Sequence, residues 1–275
     1  MEYREIKGAR VPALGFGTWQ LTGRNCFEAV RHALALGYRH IDTAQLYGNE
    51  SEVGRAIAES GVRRDEIFLT TKLAPGNFAA ALVCRSVEDS LRRLGADYVD
   101  LLLIHWPVGD VPLGETLGAM AALREAGKTR FIGVSNFTVK LLAQAVEAEG
   151  ADLMCDQVEY HPFLSQRPVM AALARYGMLL TAYTPLGRGH IHREQTIAAI
   201  GRKYGKSSAQ VALRWLLDQP GVAAIPKAAS PAHAAANLDI FDFSLAVEDR
   251  AAIDALRGTR RFVDPGGCAP RWDLP

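Results

Sequence analysis

The chain has 275 residues, of which 49% are hydrophobic and 22% are charged, and its formal net charge at pH 7 is +1. This balance provides no electrostatic field that would attract nucleic acid or an anionic membrane. The N-terminal residues lack the apolar stretch of a secretory signal, and the longest apolar runs fall far short of the ~18 residues that cross a bilayer. We therefore expect a cytoplasmic globular protein without nucleic-acid or membrane partners.

The hairpin and the strands come first in chain order. Residues 3–12, with Lys7 and Gly8 as a turn, predict a short hairpin. Eight short apolar runs follow and alternate with segments of helical period, and they lack the polar alternation of half-exposed strands. The runs are 14–18, 38–43, 67–72, 99–105, 131–136, 153–160, 179–185 and 221–226.

The intervening segments carry helix signals. Asn49 as N-cap, with Glu52 as its capping partner, predicts a helix that begins ahead of Val53. Thr138 predicts the N-cap of a later helix, and the segment 191–218 is long enough for more than one helix.

Eight strand–helix units in a chain of this length predict an α/β fold, a closed (β/α)8 barrel that spans residues 1–275 as a single domain. The tail after Gly258 is polar and rich in glycine and proline, and we expect it to be a surface loop. An open doubly wound sheet is the alternative. It is disfavoured because residues 15–20, GFGTWQ, lack the third glycine of the dinucleotide-binding fingerprint.

Four ionisable residues fall at predicted strand ends, where the active sites of such barrels lie. Asp42 is near the end of the second strand and Tyr47 is on the loop after it, while Lys72 and His105 end the third and fourth strands. Each residue alone has a structural explanation, as a turn cap, surface cover, a solvated cation or a histidine bonded to a carbonyl. Their joint placement predicts a catalytic cluster. The four cysteines are far apart and show no metal-ligand spacing, so we expect no metal site.

The chain resembles the aldo-keto reductase family over nearly its whole length, and within it the bacterial branch similar to 2,5-diketo-gluconate reductases. The motifs occur in the family's order: GFGTWQ (15–20), RHIDTAQLYGNE (39–50), LTTK (69–72), LLIHWP (102–107), IGVSNF (132–137), DQVEYHP (156–162), YTPLGRG (183–189) and IPK (225–227). The resemblance implies a (β/α)8 barrel whose N-terminal hairpin closes the bottom, in agreement with the strand pattern.

The resemblance also implies reduction of aldehydes and ketones to alcohols by hydride transfer from NADPH, with NADH as the alternative cofactor. Tyr47 would donate the proton, and a neighbouring Lys72 ammonium would lower the pKa of this phenol. Asp42 would hold Lys72 through an ion pair, and His105 would hydrogen-bond the carbonyl oxygen of a small-molecule substrate.

Thirteen positions match the family's cofactor contacts: Gly17, Thr18, Asp42, Ser135, Asn136, Gln157, Tyr183, Thr184, Leu186, Gly187, Lys227, His233 and Asn237. The resemblance implies that the amide and hydroxyl groups of the β-strand ends bind the nicotinamide carboxamide, that Tyr183 stacks on its ring, and that residues 184–187 contact the pyrophosphate. Lys227 would pair with the 2′-phosphate of NADP. The adenosine end departs from the family, because the usual arginine is His233, the usual hydroxyl residue is Ala228 and the usual acidic residue is Ala236.

The resemblance assigns the substrate walls to Trp19, Tyr47, His105 and Trp106. Ala74 stands where the family often has tryptophan, which widens one wall unless Phe78 fills the gap. Short loops predict an open, tolerant pocket, and we expect a monomer.

Two other functions stay open at this stage. One is a non-catalytic nicotinamide-binding sensor or regulatory subunit on the same fold. The other is a Schiff-base lyase with Lys72 as nucleophile. The sequence does not identify the natural substrate, the physiological direction or the strictness of cofactor choice.

Overall fold

The structure, a computed structural model, describes residues 1–273. It opens with the predicted hairpin of two antiparallel strands, β1 (Tyr3–Ile6) and β2 (Ala9–Pro12). The turn residues Lys7 and Gly8 have φ angles of 47° and 76°. Positive φ at both central residues matches the twist of a two-residue hairpin loop, and Gly8 adopts it without steric cost.

Eight parallel strands follow, and each is hydrogen-bonded to the next along the chain. They are β3 (Phe16–Gly17), β4 (His40–Asp42), β5 (Phe68–Leu73), β6 (Val99–Ile104), β7 (Thr129–Ser135), β8 (Cys155–Glu159), β9 (Leu179–Tyr183) and β10 (Val222–Ala224).

The first and last of these strands also meet, which closes the barrel. Ala224 N donates to Ala13 O and Gly15 N donates to Ala224 O, both at 2.8 Å. Two residues further along the chain, Gly17 N donates to Pro226 O at 3.1 Å. The prediction of a closed (β/α)8 barrel is therefore confirmed, and all strand carboxyl ends point to one rim.

Helices cover the outside of the barrel. Residues 1–273 contain α1 (Gly23–Leu36), α2 (Glu50–Ala58), α3 (Ala80–Leu94), α4 (Leu113–Glu125), α5 (Val139–Ala143), α6 (Arg167–Arg175), α7 (Gln195–Tyr204), α8 (Ser208–Leu217), α9 (Pro231–Leu238) and α10 (Val247–Asp254). The Thr138 side chain caps α5 by accepting from Leu141 N, as predicted. The segment 191–218 holds α7 and α8, also as predicted. None of the helices in this part of the chain is long and apolar enough to cross a membrane.

The capping role predicted for Asn49 is wrong, although α2 does begin at the next residue. The Asn49 side chain makes no cap hydrogen bond. Its Nδ2 instead donates to Thr18 O and Leu21 O, both at 2.9 Å, and its Oδ1 accepts from Thr43 Oγ1 at 2.6 Å. Asn49 is fully buried, so three tertiary partners outcompete the local cap.

The barrel interior has its own apolar core, separate from the larger one between strands and helices. Side chains of β5, β6 and β8 fill it, including Phe68, Leu103 and Cys155. Val11 of the hairpin packs against this cluster from below. The hairpin therefore plugs the bottom of the barrel, and the upper end is the one open to a ligand.

Close packing of α2 on α3 gives a test of the fold. A Cβ added at Gly54 would lie 2.2 Å from Leu94 O, which is backbone and cannot give way. We expect Gly54→Ala to lower the free energy of unfolding by about 1–3 kcal/mol or more. Urea denaturation followed by circular dichroism measures the change.

The matched control is Gly118→Ala on the exposed side of α4, where an added Cβ meets nothing within 4 Å. Alanine is the better helix former by roughly 1 kcal/mol, so this variant should be unchanged or more stable. Equal midpoints for the Gly54→Ala variant and the wild type would contradict the packing of α2 against α3.

Candidate active site

A cleft of about 850 Å³ opens at the carboxyl ends of the barrel strands. Thirteen of the predicted site residues line it: Gly17, Trp19, Asp42, Tyr47, His105, Trp106, Ser135, Asn136, Gln157, Tyr183, Thr184, Leu186 and Lys227. Strand ends and short loops from most of the barrel thus converge on one space, as the fold requires.

Lys72 lies beneath the floor of this cleft with its side chain fully buried. Its Nζ donates to Asp42 Oδ1 at 2.5 Å, to Thr43 O at 2.9 Å and to Tyr47 Oη at 3.4 Å. An ammonium group has three hydrogens and no acceptor, so these three bonds use all of its capacity. Burial lowers the pKa of Lys72, and the Asp42 carboxylate opposes that shift. Lys72 is in its charged form when it is paired with the Asp42 carboxylate.

The sequence prediction that Lys72 acidifies Tyr47 is wrong for this structure. Burial and the Asp42 carboxylate raise the pKa of Tyr47 well above its ordinary value. The physical reason is that Asp42 Oδ1 lies 2.5 Å from the ammonium and offsets its charge, while burial disfavours the charged phenolate. Tyr47 is therefore a protonated phenol at neutral pH.

His105 stands next to Tyr47, with the two rings edge to face at a centroid distance of 5.5 Å. Burial, followed by the nearby Lys72 charge, lowers the pKa of His105 to about 3. The imidazole is therefore neutral across the physiological range. Its Nδ1 is buried and has no hydrogen-bond partner within residues 1–273.

The loop that carries Tyr47 is fixed by Gln45. The Gln45 Oε1 accepts from Ala74 N at 2.8 Å and from Asn77 Nδ2 at 2.9 Å. Its Nε2 donates to Ser86 O and Ser90 Oγ. One amide therefore ties the loop after β4 to the loop after β5 and to α3, which holds the phenol and the lysine in one geometry.

A second group of polar side chains lies at the ends of β7, β8 and β9. Gln157 Nε2 donates to Asp42 Oδ2 at 2.7 Å, which links this group to the Asp42–Lys72 pair. Asn136 Nδ2 donates to Ser135 Oγ at 3.0 Å, and Asn136 Oδ1 accepts from Tyr183 Oη at 2.6 Å. The set lines the cleft as an ordered row of amide and hydroxyl groups.

The loop after β9 has an unusual backbone. Thr184, Gly187, Arg188 and Gly189 have φ angles of 49°, 53°, 49° and 88°. Gly187 N and Gly189 N donate within the loop, to Thr184 O at 2.9 Å and to Leu186 O at 3.0 Å, so this backbone forms a tight turn beside the cleft. The Arg188 guanidinium reaches across the cleft to 5.2 Å from the Trp19 ring centroid. The sequence indicated neither the left-handed backbone of this loop nor the contact between Arg188 and Trp19.

Four of the predicted cofactor residues do not line the cleft. Thr18 is fully buried, and its Oγ1 donates to Asp42 O at 2.9 Å. Gly187 lies inside its loop against Phe163 and Phe262. His233 and Asn237 lie on α9, beyond the cleft, with His233 exposed and Asn237 buried. Their cofactor contacts stay predictions.

The C-terminal tail contributes to the cleft. Phe262, Val263, Asp264 and Pro265 line it without regular secondary structure, and their half-buried or exposed side chains agree with the predicted surface loop. Arg261 Nη1 lies 3.7 Å from Glu159 Oε2, so one basic side chain of the tail faces a buried carboxylate. The pocket is therefore walled on this side rather than open.

The expected widening at Ala74 has no counterpart here, because neither Ala74 nor Phe78 lines the cleft. Phe78 is buried in the core between barrel and helices. Leu46, next to Tyr47, lines the cleft instead, and its place in the sequence gave no signal. No group of three or more His, Cys, Asp or Glu side chains in the described part of the chain has a metal-binding arrangement.

Comparison with known proteins places this site in a family. The sequence profile of the Aldo/keto reductase family matches residues 13–257. An "Aldo-keto reductase" of Mycobacterium sp. (strain KMS) is 41% identical over 260 residues, which cover 94% of each chain. The "Methylglyoxal reductase DkgB" of Escherichia coli O157:H7 is 41% identical over 266 residues, 96% of this chain and 99% of that protein.

Solved structures agree with the sequence relatives. A crystal structure described as that of a candidate 2,5-diketo-D-gluconic acid reductase B superposes with a TM-score of 0.97 at 45% identity, covering 100% of this chain and 98% of that one. The Bombyx mori aldo-keto reductase in complex with NADP superposes with a TM-score of 0.89 at 34% identity, covering 95% and 94%. The chain belongs to the Aldo/keto reductase family, and it is an oxidoreductase that reduces carbonyl groups with a nicotinamide cofactor.

Proposed function

We propose that the protein reduces aldehydes and ketones with NADPH, with Tyr47 as the proton donor and with Lys72, Asp42 and His105 in support. The observation that carries the assignment of roles is the position of the Lys72 ammonium, which joins Asp42 Oδ1 and Tyr47 Oη at the floor of the cleft. When bound, a reduced nicotinamide supplies the hydride for the carbonyl carbon, and the proton must come from the protein.

The hydrogen bond from Lys72 orients the Tyr47 proton. Because an ammonium only donates, Tyr47 Oη accepts from it, and the phenol hydrogen has to point elsewhere. The cleft is the side on which Tyr47 is open, so the hydrogen is directed at a bound carbonyl oxygen. Lys72 thus positions the proton donor even though it does not acidify it.

The raised pKa of Tyr47 favours the reductive direction. A phenol that stays protonated at neutral pH is ready to donate, and the alkoxide produced by hydride addition is a stronger base than the phenolate. In the oxidative direction Tyr47 would have to accept a proton as phenolate, which is scarce at neutral pH. At neutral pH the site is therefore ready to donate the proton that reduction requires.

His105 suits the carbonyl oxygen for a different reason. A neutral imidazole carries one N–H, which can donate to the oxygen and stabilise charge as it develops there. A pKa of about 3 keeps His105 from protonating the substrate itself. Two donors, His105 and Tyr47, then converge on one oxygen, and only Tyr47 gives up its proton.

The residues present fit a nicotinamide. Asn136 Oδ1 has one bonded partner, Tyr183 Oη, and Gln157 Oε1 has none within the described residues, so two acceptor oxygens face the cleft. A carboxamide NH₂ group needs such acceptors. Gly17, which also lines the cleft, allows β3 to approach the backbone after β10 closely, because a Cβ there would lie 2.7 Å from Ile225 O.

The phosphates suit the outer part of the cleft. Arg188 lines the cleft in the tight loop 184–189, and its guanidinium offers a positive charge for a pyrophosphate. Lys227 lines the cleft and is exposed, in a position to meet a further phosphate. This cation supports NADPH over NADH as the preferred cofactor.

Both alternative functions fit the structure less well. A Schiff-base nucleophile has to reach the substrate with a free amine, whereas Lys72 is fully buried, triply bonded and absent from the cleft lining. A non-catalytic sensor has no use for a buried Asp42–Lys72 pair aimed at a phenol, and burying such a pair is costly.

The named relatives guide the choice of substrates. Methylglyoxal reductase and 2,5-diketo-D-gluconic acid reductase both act, by their names, on compact oxidised carbonyl compounds. We extend this class to the present protein, because the cleft combines aromatic walls from Trp19 and Trp106 with the cations Arg188 and Lys227. Small aldehydes and oxo acids are the compounds to assay first.

Replacing the proton donor is the direct test. We expect Tyr47→Phe to lower kcat by about 100-fold to 10,000-fold, the usual contribution of a positioned acid, while NADPH binding measured by fluorescence stays the same. Loss of reduced-nicotinamide absorbance with methylglyoxal measures the rate. The control is Tyr176→Phe, whose hydroxyl bonds Glu147 on the surface and should not matter. Turnover within threefold of wild type in Tyr47→Phe would refute the role of the phenol.

The pH profile tests the protonation states. Tyr47 loses its proton only far above neutrality and His105 gains one only near pH 3, so kcat/KM for reduction should be flat from about pH 6 to about pH 9. Oxidation of the alcohol should instead rise with pH, since it requires the phenolate. A fall in the reductive kcat/KM with an apparent pKa near 7 is incompatible with these assignments.

Cofactor preference tests the role of Lys227. We expect a lower KM for NADPH than for NADH, and we expect Lys227→Met to raise the KM for NADPH about tenfold with little effect on NADH, because one charged phosphate contact is lost. Lys140→Met, an exposed change on α5, is the control. A tenfold preference of the wild type for NADH would overturn this part of the proposal.

A further inference from the structure

The mouth of the barrel contains a second buried carboxylate, Glu159, at the end of β8. Its side chain is fully buried and lies outside the Asp42–Lys72 cluster. It accepts from Phe262 N at 2.7 Å, from Val263 N at 2.9 Å and from His161 Nε2 at 2.9 Å. Two of its three donors are thus main-chain groups of the C-terminal tail.

The tail has further bonds to the loop that follows β8. Gly258 N and Arg260 N both donate to Phe163 O at 3.2 Å, and Ser165 N donates to Gly258 O at 2.9 Å. These contacts hold the start of the tail, residues 258–260. The part that lines the cleft begins at Phe262, and there the Glu159 carboxylate is the acceptor for consecutive backbone amides.

The position of Glu159 in the barrel connects the tail to the reacting centre. Glu159 is paired in register with Tyr183 of β9, and Gln157 lies two residues earlier on the same face of β8. The neighbours of Glu159 on its own sheet are therefore two residues of the proposed nicotinamide site. The tail is attached to the rigid sheet at this place.

The attachment of the tail to Glu159 also positions residues that form or support the walls of the substrate pocket. Phe262 and Val263 line the cleft directly. Arg261 has its guanidinium 3.6 Å from the Trp272 ring centroid, and the Trp272 ring meets the Trp106 ring edge to face at 6.4 Å. The tail therefore forms one wall itself and supports Trp106, the wall next to His105.

We propose that Glu159 is a specificity-determining positioning residue, whose carboxylate holds the backbone of the C-terminal tail as a wall of the substrate pocket. The inference rests on the proposed function and adds to it the group that gives the pocket its shape on the tail side. Glu159 itself does not line the cleft. It acts through Phe262 and Val263.

The variant Glu159→Gln separates this role from volume, since the two side chains have the same size. A carboxylate presents two acceptor oxygens to three donors, whereas the amide presents one oxygen and an NH₂ group that faces other N–H groups. At least one tail amide then loses its partner, and a hydrogen bond to a charged acceptor is among the stronger ones.

Hydrogen–deuterium exchange on the full chain reads out the attachment without reference to activity. In Glu159→Gln we expect the amides of Phe262 and Val263 to exchange about 10 to 100 times faster, as the loss of a charge-assisted bond implies, with the barrel strands unchanged. The control is Glu147→Gln on the surface, which bonds Arg175 and Tyr176 and should leave the tail protected. Unchanged protection of both tail amides, or a uniform rise over the barrel, would overturn the proposal.

Steady-state kinetics then test whether the wall formed by the tail determines substrate specificity. We expect Glu159→Gln to raise the KM for a large aromatic aldehyde about tenfold relative to that for methylglyoxal, while kcat for the aromatic substrate changes little, because a loosened wall costs binding contacts and not chemistry. An equal change in KM for both substrates, or a loss confined to kcat, contradicts the role. If the wild type turns over no carbonyl compound, the proposed function fails, and the exchange experiment still decides the attachment.

A second variant guards against misfolding of Glu159→Gln. Val263→Pro removes one donor from the tail side and leaves the buried carboxylate in place. It should give the same rise in the KM for the aromatic aldehyde and faster exchange at Phe262. A Val263→Pro protein with wild-type selectivity and a protected Phe262 amide would refute the proposal independently.

Discussion

The site depends on one buried ion pair, between Lys72 of β5 and Asp42 of β4. Such a pair is expensive to bury, and it is tolerated only when each remaining hydrogen and lone pair is used. Here the ammonium donates its other two hydrogens to Thr43 O and Tyr47 Oη, and Asp42 Oδ2 accepts from Gln157 Nε2. Removing either charge would leave the other unpaired inside the barrel.

This pair also links the two halves of the barrel mouth. The strands β4, β5 and β6, with the loop after β4, carry the residues proposed for proton transfer, whereas β7, β8 and β9 carry the amide, hydroxyl and aromatic groups suited to a nicotinamide. The bond between Asp42 and Gln157 crosses from one half to the other. A movement of the strands in either half would therefore also move Tyr47. The backbone hydrogen bonds that close the barrel keep the two halves in register.

The sequence predicted the barrel and the positions of Asp42, Lys72 and His105, because the ends of parallel strands must converge whatever their side chains are. It failed where the outcome depends on tertiary surroundings. Asn49 has the residue type of a cap but is used by three distant partners, and the pKa of Tyr47 depends on burial that no local pattern encodes. The polar composition of the tail predicted a surface loop, but it did not show that part of the tail lines the cleft or that its backbone bonds the buried Glu159. His233 and Asn237 were placed by family pattern alone, and α9 holds them away from the cleft lining.

The contact between Glu159 and the tail is made to main-chain N–H groups, and it therefore makes no demand on the side chains of residues 262 and 263 beyond the exclusion of proline. The Val263 side chain can therefore change in size and polarity while the backbone stays in place, whereas the Phe262 ring is constrained by its stacking on His190 at a centroid distance of 4.6 Å. Substrate range can then diverge, by natural drift or by directed mutagenesis, through substitutions that leave the reacting groups untouched. The wall formed by the tail therefore tolerates substitution, whereas the Asp42–Lys72 pair at the floor of the pocket does not.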